Sequence, residues 1–158
     1  MHKTKIDLPK EKREKLVEIL NNRLADALDL KSQAKQAHWN VKGIHFFQLH
    51  ELFDQVSTET EAFMDLIAER ATTLGGTALG TVRVSAANST LSEYPLEITE
   101  GTDHVDALSN ALADFGKKVR ENIDEAGDLG DQSTADLFTE VSRGIDKLLW
   151  FVEAHIQS

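Results

Sequence analysis

Residues 46–76 read FFQLHELFDQVSTETEAFMDLIAERATTLGG, and this stretch decides the fold. Its apolar residues recur at intervals of three or four, which is the period of a helix with one buried face. They are Leu49, Leu52, Phe53, Val56, Phe63, Ile67 and Leu74. Gly75 and Gly76 follow the pattern, and glycine is common just past a helix C-terminus. The stretch therefore predicts one long helix that ends at the glycine pair.

The same period on both sides predicts two further helices. The first helix begins at Pro9, because proline suits a first helical turn, and ends before Gly43. Its apolar positions are Leu16, Leu20, Leu24, Ala27 and Ala34. The third helix spans roughly residues 102–126. Its apolar positions are Val105, Leu108, Leu112, Phe115 and Val119.

A fourth helix follows a turn at residues 127–130. Ser133 and Asp136 have the spacing of a capping box, which predicts that Ser133 caps this helix. Its apolar positions are Leu137, Val141, Ile145, Leu148 and Val152. Residues 77–100 contain glycine, serine, asparagine and proline, and they predict a long crossover that carries one short helix.

The two short turns and the one long crossover, between helices 2 and 3, predict the fold. We predict an all-α, ferritin-like four-helix bundle. Residues 1–8 would form a short N-terminal tail, and residues 9–158 would form the single domain.

The composition excludes several classes of function. Seventeen Lys and Arg residues against twenty-seven Asp and Glu residues give a formal net charge of −10, which disfavours binding to nucleic acid or an anionic membrane. The chain has no cysteine, so it can form neither a disulfide nor a thiolate metal site. The N-terminus is charged and no apolar run reaches membrane-spanning length, so we expect a cytoplasmic protein without membrane partners.

Five side chains form a set typical of an iron site: His38, His50, Asp54, Asp65 and Glu69. Imidazole and carboxylate ligands together suit a first-row metal such as Fe(II). His50 and Asp54 are four residues apart, as are Asp65 and Glu69, so each pair projects from one face of the predicted helix. On a helical wheel all four lie opposite the apolar stripe.

The two pairs cannot meet within one chain. His50 and Asp65 are fifteen positions apart, which is about 22 Å along a helix. If the helix met its own copy antiparallel, His50 and Asp54 of one chain would face Asp65 and Glu69 of the other. The two-fold axis would cross near residues 59–60, and each dimer would hold two equivalent sites. His38 would then add a third ligand to the histidine half.

Simpler interpretations compete with this hypothesis. A single histidine beside a tryptophan, such as His38 beside Trp39, is more often a packing residue than a ligand. Asp65 and Glu69 could be ordinary acidic residues on a solvated helix face. The chain also lacks the Glu-x-x-His pairs of di-iron sites inside a bundle. Spacing alone therefore leaves metal binding open.

A motif that extends beyond these five residues favours metal binding over the simpler interpretations. This motif consists of His38-Trp39-Asn40-Val41-Lys42-Gly43, Phe47, Leu49-His50, Phe53-Asp54, Asp65-Leu66-Ile67-Ala68-Glu69-Arg70, Ser142-Arg143, Asp146-Lys147 and Leu149-Trp150-Phe151. Together they resemble the Dps family, the mini-ferritins known as DNA-binding proteins from starved cells. The resemblance extends from the first helix to the last.

The resemblance implies a function and an assembly. His38, His50 and Asp54 of one subunit, with Asp65 and Glu69 of its neighbour, would form a ferroxidase centre for two iron ions. Members of the family form hollow dodecamers, oxidise Fe(II) with hydrogen peroxide in preference to dioxygen, and store a ferric mineral. Trp39 would lie beside the metal, either as an electron donor or as a packing residue. Zn(II) is expected to compete for these ligands.

The resemblance also suggests where iron enters and whether DNA is bound. Asp131 and Asp136 lie in the acidic region that lines a three-fold pore in related cages, although acidic residues also favour a helix N-terminus for electrostatic reasons. The tail carries only Lys3 and Lys5 against Asp7, so we expect weak or absent DNA binding. Two alternatives remain: a nucleoid-compacting protein with secondary metal binding, and a zinc-dependent assembly.

Overall fold

The computed structural model describes residues 1–157 and contains five helices. In chain order they are α1 (Lys10–Asn40), α2 (Phe46–Thr73), α3 (Val82–Asn88), α4 (Gly101–Asp128) and α5 (Gln132–Glu153). These residues form no strand, only an isolated bridge between Lys42 and Glu100. The all-α, ferritin-like bundle with a short helix in its crossover is thus confirmed. Ser158, the last residue of the predicted domain, lies outside the described part.

The four long helices share one apolar core. Most apolar positions predicted from the helical period are buried, but in α5 the buried residue is Phe138 in place of the predicted Leu137, which is half-buried. Phe53, Phe115 and Phe138 are fully enclosed. Leu52 and Phe63 of α2 are only half-buried and pack at the edge of the core. None of the helices in residues 1–157 is long and apolar enough to cross a membrane.

The turn between α4 and α5 is shorter than predicted. Helix α4 continues to Asp128, and Gly130 reverses the chain with a φ of 84°, a conformation that glycine adopts without strain. Asp131 then caps α5, since its carboxylate accepts a hydrogen bond from the Thr134 backbone N–H at 3.2 Å. The predicted capping box was therefore wrong: Ser133 lies inside the helix, because the acid two residues earlier already satisfies its first turn.

The crossover is fixed to α1 by a buried carboxylate. Asp26 is fully buried and accepts the Thr90 backbone N–H at 2.6 Å as well as the Thr90 hydroxyl. Arg23 lies 2.9 Å from the same carboxylate. A buried charge is costly unless it is paired and hydrogen-bonded, and these contacts provide both. They hold the segment after α3 against the bundle.

The N-terminal tail packs on the end of α2. The backbone N–H of His2 donates to the Gly75 carbonyl at 2.6 Å. The buried guanidinium of Arg13 donates to the carbonyls of Leu8, at 3.1 Å, and of Leu74, at 2.8 Å. Residues 1–8 are therefore attached to the folded body in this structure.

Candidate metal centre

The two candidate histidine ligands meet between α1 and α2. Their rings stack with centroids 3.7 Å apart. His38 Nδ1 lies 2.7 Å from the His50 carbonyl, and His50 Nδ1 lies 2.9 Å from the His38 carbonyl. Helix α1 ends two residues after His38 and α2 begins four residues before His50, so the short connection brings the two side chains together.

This reciprocal pair of hydrogen bonds fixes the tautomer that each ring has when it is neutral. A carbonyl oxygen only accepts, so each Nδ1 must carry the proton. The unprotonated nitrogen of each neutral ring is then Nε2, which is the form in which imidazole binds a metal. Backbone carbonyls that orient ligand histidines in this way are typical of metal sites. The histidine half is thus prepared to coordinate.

The third candidate ligand, Asp54, is held by a lysine. The Lys35 ammonium lies 2.6 Å from Asp54 Oδ1, and the two side chains are 29% and 48% exposed. Its hydrogen bond holds the pKa of Asp54 below its ordinary value of 3.8, so the carboxylate is ionised near neutral pH. Lys35 also lies 5.7 Å from the centre of the Trp39 ring. Lys35 is thus the cation that pairs with Asp54 in this structure.

The other two candidate ligands lie far from the histidines. Asp65 and Glu69 are exposed on the same unbroken helix as His50 and Asp54. The fifteen positions between His50 and Asp65 correspond to about 22 Å along α2. Within residues 1–157, no three His, Asp or Glu side chains are arranged to hold a metal ion. The chain therefore presents two separate groups of ligands.

Three large apolar side chains close to the candidate ligands in the sequence are exposed. Trp39, Phe47 and Leu66 are 66%, 68% and 38% exposed. Trp39 immediately follows His38, and Leu66 immediately follows Asp65. Exposed apolar groups clustered around polar side chains are typical of a protein–protein contact surface.

The two residues predicted for an iron pore have different environments. Asp136 is exposed near the start of α5. Asp131 is buried, caps α5, and accepts two hydrogen bonds of 2.9 Å from the Arg70 guanidinium. Its carboxylate is therefore engaged in contacts within the chain, whereas that of Asp136 is exposed.

Sequence reasoning missed the lysines that hold the acidic side chains of α2. Lys31 and Lys35 are four residues apart on α1, so both project toward α2. Lys31 pairs with Glu61 at 2.6 Å, as Lys35 pairs with Asp54. The spacing from Lys35 to His38 was a usable signal, because residues three apart on a helix are neighbours.

Comparisons with known proteins concern the sequence and the fold as a whole. The Ferritin-like domain family matches residues 17–158. The chain is 45% identical to a DNA protection during starvation protein of Agrobacterium fabrum, over 99% of this chain and 96% of that one. It superposes on a solved Dps of Mycobacterium smegmatis with a TM-score of 0.94 at 29% identity, covering 99% and 95% of the two chains.

A third comparison concerns a protein described by its metal chemistry. A solved Dps protein of Vibrio cholerae O1 has a TM-score of 0.91 at 26% identity, over 99% of this chain and 98% of that one. It is described as a member of a broad superfamily of ferritin-like diiron-carboxylate proteins.

Proposed function

The chain belongs to the Dps family of ferritin-like proteins, and on this basis we propose that it is a ferroxidase that oxidises and stores iron. The observation that carries the proposal is the pair of stacked histidines whose Nδ1 atoms both donate to backbone carbonyls. This arrangement leaves both Nε2 atoms to coordinate, beside the carboxylate of Asp54. The relative described as a ferritin-like diiron-carboxylate protein supports iron as the metal.

We propose that two chains complete each site. In an antiparallel contact between two copies of α2, Asp65 and Glu69 of one copy face His38, His50 and Asp54 of the other. The exposed side chains of Trp39, Phe47 and Leu66 would give this contact a hydrophobic component. The symmetry provides two equivalent sites in each dimer, each with room for two iron ions.

The proposed reaction follows from the ligand set. Two neighbouring Fe(II) ions each supply one electron, so hydrogen peroxide takes up both electrons with two protons and yields two water molecules. No hydroxyl radical is released, because no one-electron step leaves peroxide half-reduced. The three carboxylates offset the higher charge of the Fe(III) product. We propose peroxide as the preferred oxidant and dioxygen as the slower one.

The wider assembly is proposed from the family. A hollow dodecamer built from these dimers would hold the ferric mineral and keep iron away from peroxide elsewhere in the cell. We propose Asp136 as a residue of the pore through which iron enters, and Trp39 as an electron donor beside the metal. A cytoplasmic location fits these roles, and Zn(II) would compete with iron for the five ligands.

Complementation between two inactive variants tests the shared site. His50→Ala removes a ligand from the histidine half, and Glu69→Ala removes one from the carboxylate half, so each variant alone should lose rapid Fe(II) oxidation. When the two are co-expressed, each mixed dimer regains one intact site. About one quarter of wild-type activity should return if pairing is random. His155→Ala, which changes an exposed histidine outside the site, is the control.

The outcome of mixing, together with the metal content and mass of the assembly, separates the competing explanations. If mixing restores nothing although mixed dimers form, each site belongs to one chain and the proposal is wrong. Tightly held Zn(II) that iron does not displace would support the zinc-dependent alternative instead. Mass measurements before and after peroxide-driven iron loading would report the assembly and its iron content.

DNA compaction is the alternative function, and two observations weigh against it. The net charge of −10 repels phosphate, and residues 1–8, which carry Lys3 and Lys5, are packed against the body through Arg13. We therefore expect little DNA binding in a gel-shift assay at low and physiological salt. Arg13→Ala should release the tail and increase binding at low salt only. Strong binding by the wild type at both salt concentrations would favour the alternative.

A further inference from the structure

The carboxylate half of the proposed site lies on a part of α2 that rests on α5. Just before Asp65, the ring of Phe63 packs against Gly144 of α5. A Cβ atom added at Gly144 would overlap the tip of that ring and lie 2.9 Å from Cε2 and 3.1 Å from Cε1. Ordinary contacts between carbon atoms are about 3.5–4.0 Å. Glycine is therefore what allows the two helices to approach this closely.

A second contact with α5 follows just after Glu69. The Arg70 guanidinium donates to both carboxylate oxygens of Asp131 at 2.9 Å and to the Thr134 hydroxyl at 2.9 Å. The side chains of Arg70 and Asp131 are 18% and 4% exposed. Nη2 contacts both oxygens of Asp131 and Nε donates to Thr134, so two different atoms of the guanidinium hold the last turns of α2 on the first turn of α5.

The histidine half is supported differently. His38 lies on α1, and His50 and Asp54 are tied to α1 by the imidazole–carbonyl bonds and by Lys35. The histidine half therefore bonds to α1, whereas Phe63 and Arg70, which flank the carboxylate half, contact α5. Helix α1 packs along both halves of α2, since Arg13 also donates to the Leu74 carbonyl.

We propose that Gly144 and Arg70 are positioning residues that set where Asp65 and Glu69 meet the metal across the subunit contact. This inference rests on the proposed function, because it assumes that the two carboxylates bind metal. Neither residue would touch the metal; each acts through the placement of α2 on α5.

The expected size of the effect follows from metal geometry. Metal–ligand distances are reproduced within about 0.2 Å in well-formed sites. A methyl group at Gly144 requires the Phe63 ring and α5 to separate by about 1.5 Å to reach ordinary contact. Loss of residues that orient ligands typically weakens metal binding 10- to 100-fold. We expect about 10-fold weaker binding for Gly144→Ala and for Arg70→Met.

The test measures Zn(II) affinity by calorimetry on the assembled, metal-free protein without oxidant. Each substitution is made in the wild type and in an Asp65→Ala, Glu69→Ala background that has lost its carboxylates. Positioning predicts weaker Zn(II) binding in the wild-type background only, since the other background has no carboxylates left to misplace. A general loss of structure would weaken binding equally in both.

A matched control is available on α1. Arg23→Met breaks another buried ion pair, with Asp26, whose side chains are 9% and 0% exposed. Arg23 pairs within α1 and faces α4, beside Lys118 and Asn122, and it contacts neither candidate carboxylate, so Zn(II) affinity should not change even if the protein is destabilised. If Arg70→Met does not assemble, Gly144→Ala decides the outcome, because it removes no charge partner.

Three results would count against the proposal. If Zn(II) binding is weakened equally in both backgrounds, or by neither variant, the positioning role of α5 is wrong but the proposed function is unaffected. If the background without Asp65 and Glu69 binds Zn(II) as tightly as the wild type, the shared site itself is wrong, and this inference fails with it.

Discussion

Replacement of Lys35 by methionine should tighten metal binding, although it removes a favourable ion pair. In the structure the Lys35 ammonium forms an ion pair with the Asp54 carboxylate, at 2.6 Å from its Oδ1 atom. A metal that binds Asp54 must first displace this internal cation. Methionine keeps much of the apolar length of the side chain, including its packing near Trp39, but leaves the carboxylate free.

The magnitude follows from the exposure of the pair. The two side chains are 29% and 48% exposed, and exposed ion pairs contribute about 0.2–1 kcal/mol. Since about 1.4 kcal/mol corresponds to a tenfold change in affinity, Lys35→Met should bind Zn(II) about 1.4- to 5-fold more tightly. Repulsion between ammonium and a divalent ion acts in the same direction, so this range is a lower bound. The gain should shrink as salt is raised.

A closely matched control lies one turn away on α1. Lys31 pairs with Glu61 at the same 2.6 Å, with side chains 30% and 56% exposed, but Glu61 is not a candidate ligand. Lys31→Met should therefore cost about as much stability as Lys35→Met without changing Zn(II) affinity. Calorimetric titration of the metal-free assembly at low salt measures the affinity, and urea unfolding measures the stability.

Two outcomes would refute this reasoning. If Lys35→Met binds Zn(II) no more tightly than the wild type, the lysine is not a competitor and instead holds Asp54 in its binding position. If Lys31→Met gives the same tightening, the effect comes from net charge and not from the contact with Asp54.

Three further predictions concern stability. Asp131→Ala removes the cap of α5 and leaves the Arg70 guanidinium unpaired. In urea unfolding, the free energy of unfolding should therefore fall by about 3 kcal/mol. The control Asp128→Ala, at an exposed position, should lower it by about 0.5 kcal/mol or less. Burial alone would raise the pKa of Asp131, but hydrogen bonds from Thr134 and Arg70 outweigh it and lower the pKa below 3.8. The stabilisation by Asp131 is therefore complete above its unfolded-state pKa, and the difference between wild type and Asp131→Ala should shrink as the pH falls below 3.8. Burial lowers the pKa of His104 from 6.5, so proton uptake favours the unfolded chain and the melting temperature should fall as the pH drops below 6.5. His104→Asn should be less sensitive to pH in that range, and an unchanged slope would contradict this assignment.

Much of the fold could be predicted from the sequence because helical periodicity is a local property. The apolar positions of α2 identified its buried face, and Gly75 and Gly76 marked its end. The end of α4 could not be predicted so well. The capping residue is the one whose side chain lies within hydrogen-bond distance of the free backbone N–H groups of the first turn of α5. Asp131 does so because Gly130 turns the chain toward α5.

The candidate site, like the fold, could be predicted from the sequence only in part. The sequence determined which residue types are present and how far apart they lie on one helix, and this distance already separated His50 from Asp65. It also placed Asp131 and Asp136 in one acidic region. Only the tertiary structure distinguished them, because the burial of Asp131 depends on Arg70, sixty-one residues earlier in the chain.

By itself, then, the sequence determined the helices, their buried faces and the division of the candidate ligands into two groups. Tertiary structure alone decided the partners of these side chains: the two carbonyls that orient His38 and His50, the lysine on Asp54, and the contacts with α5 on either side of Asp65 and Glu69. Periodicity reports how a residue sits on its own helix. Hydrogen bonds and ion pairs between helices depend on how those helices pack, which no local pattern records.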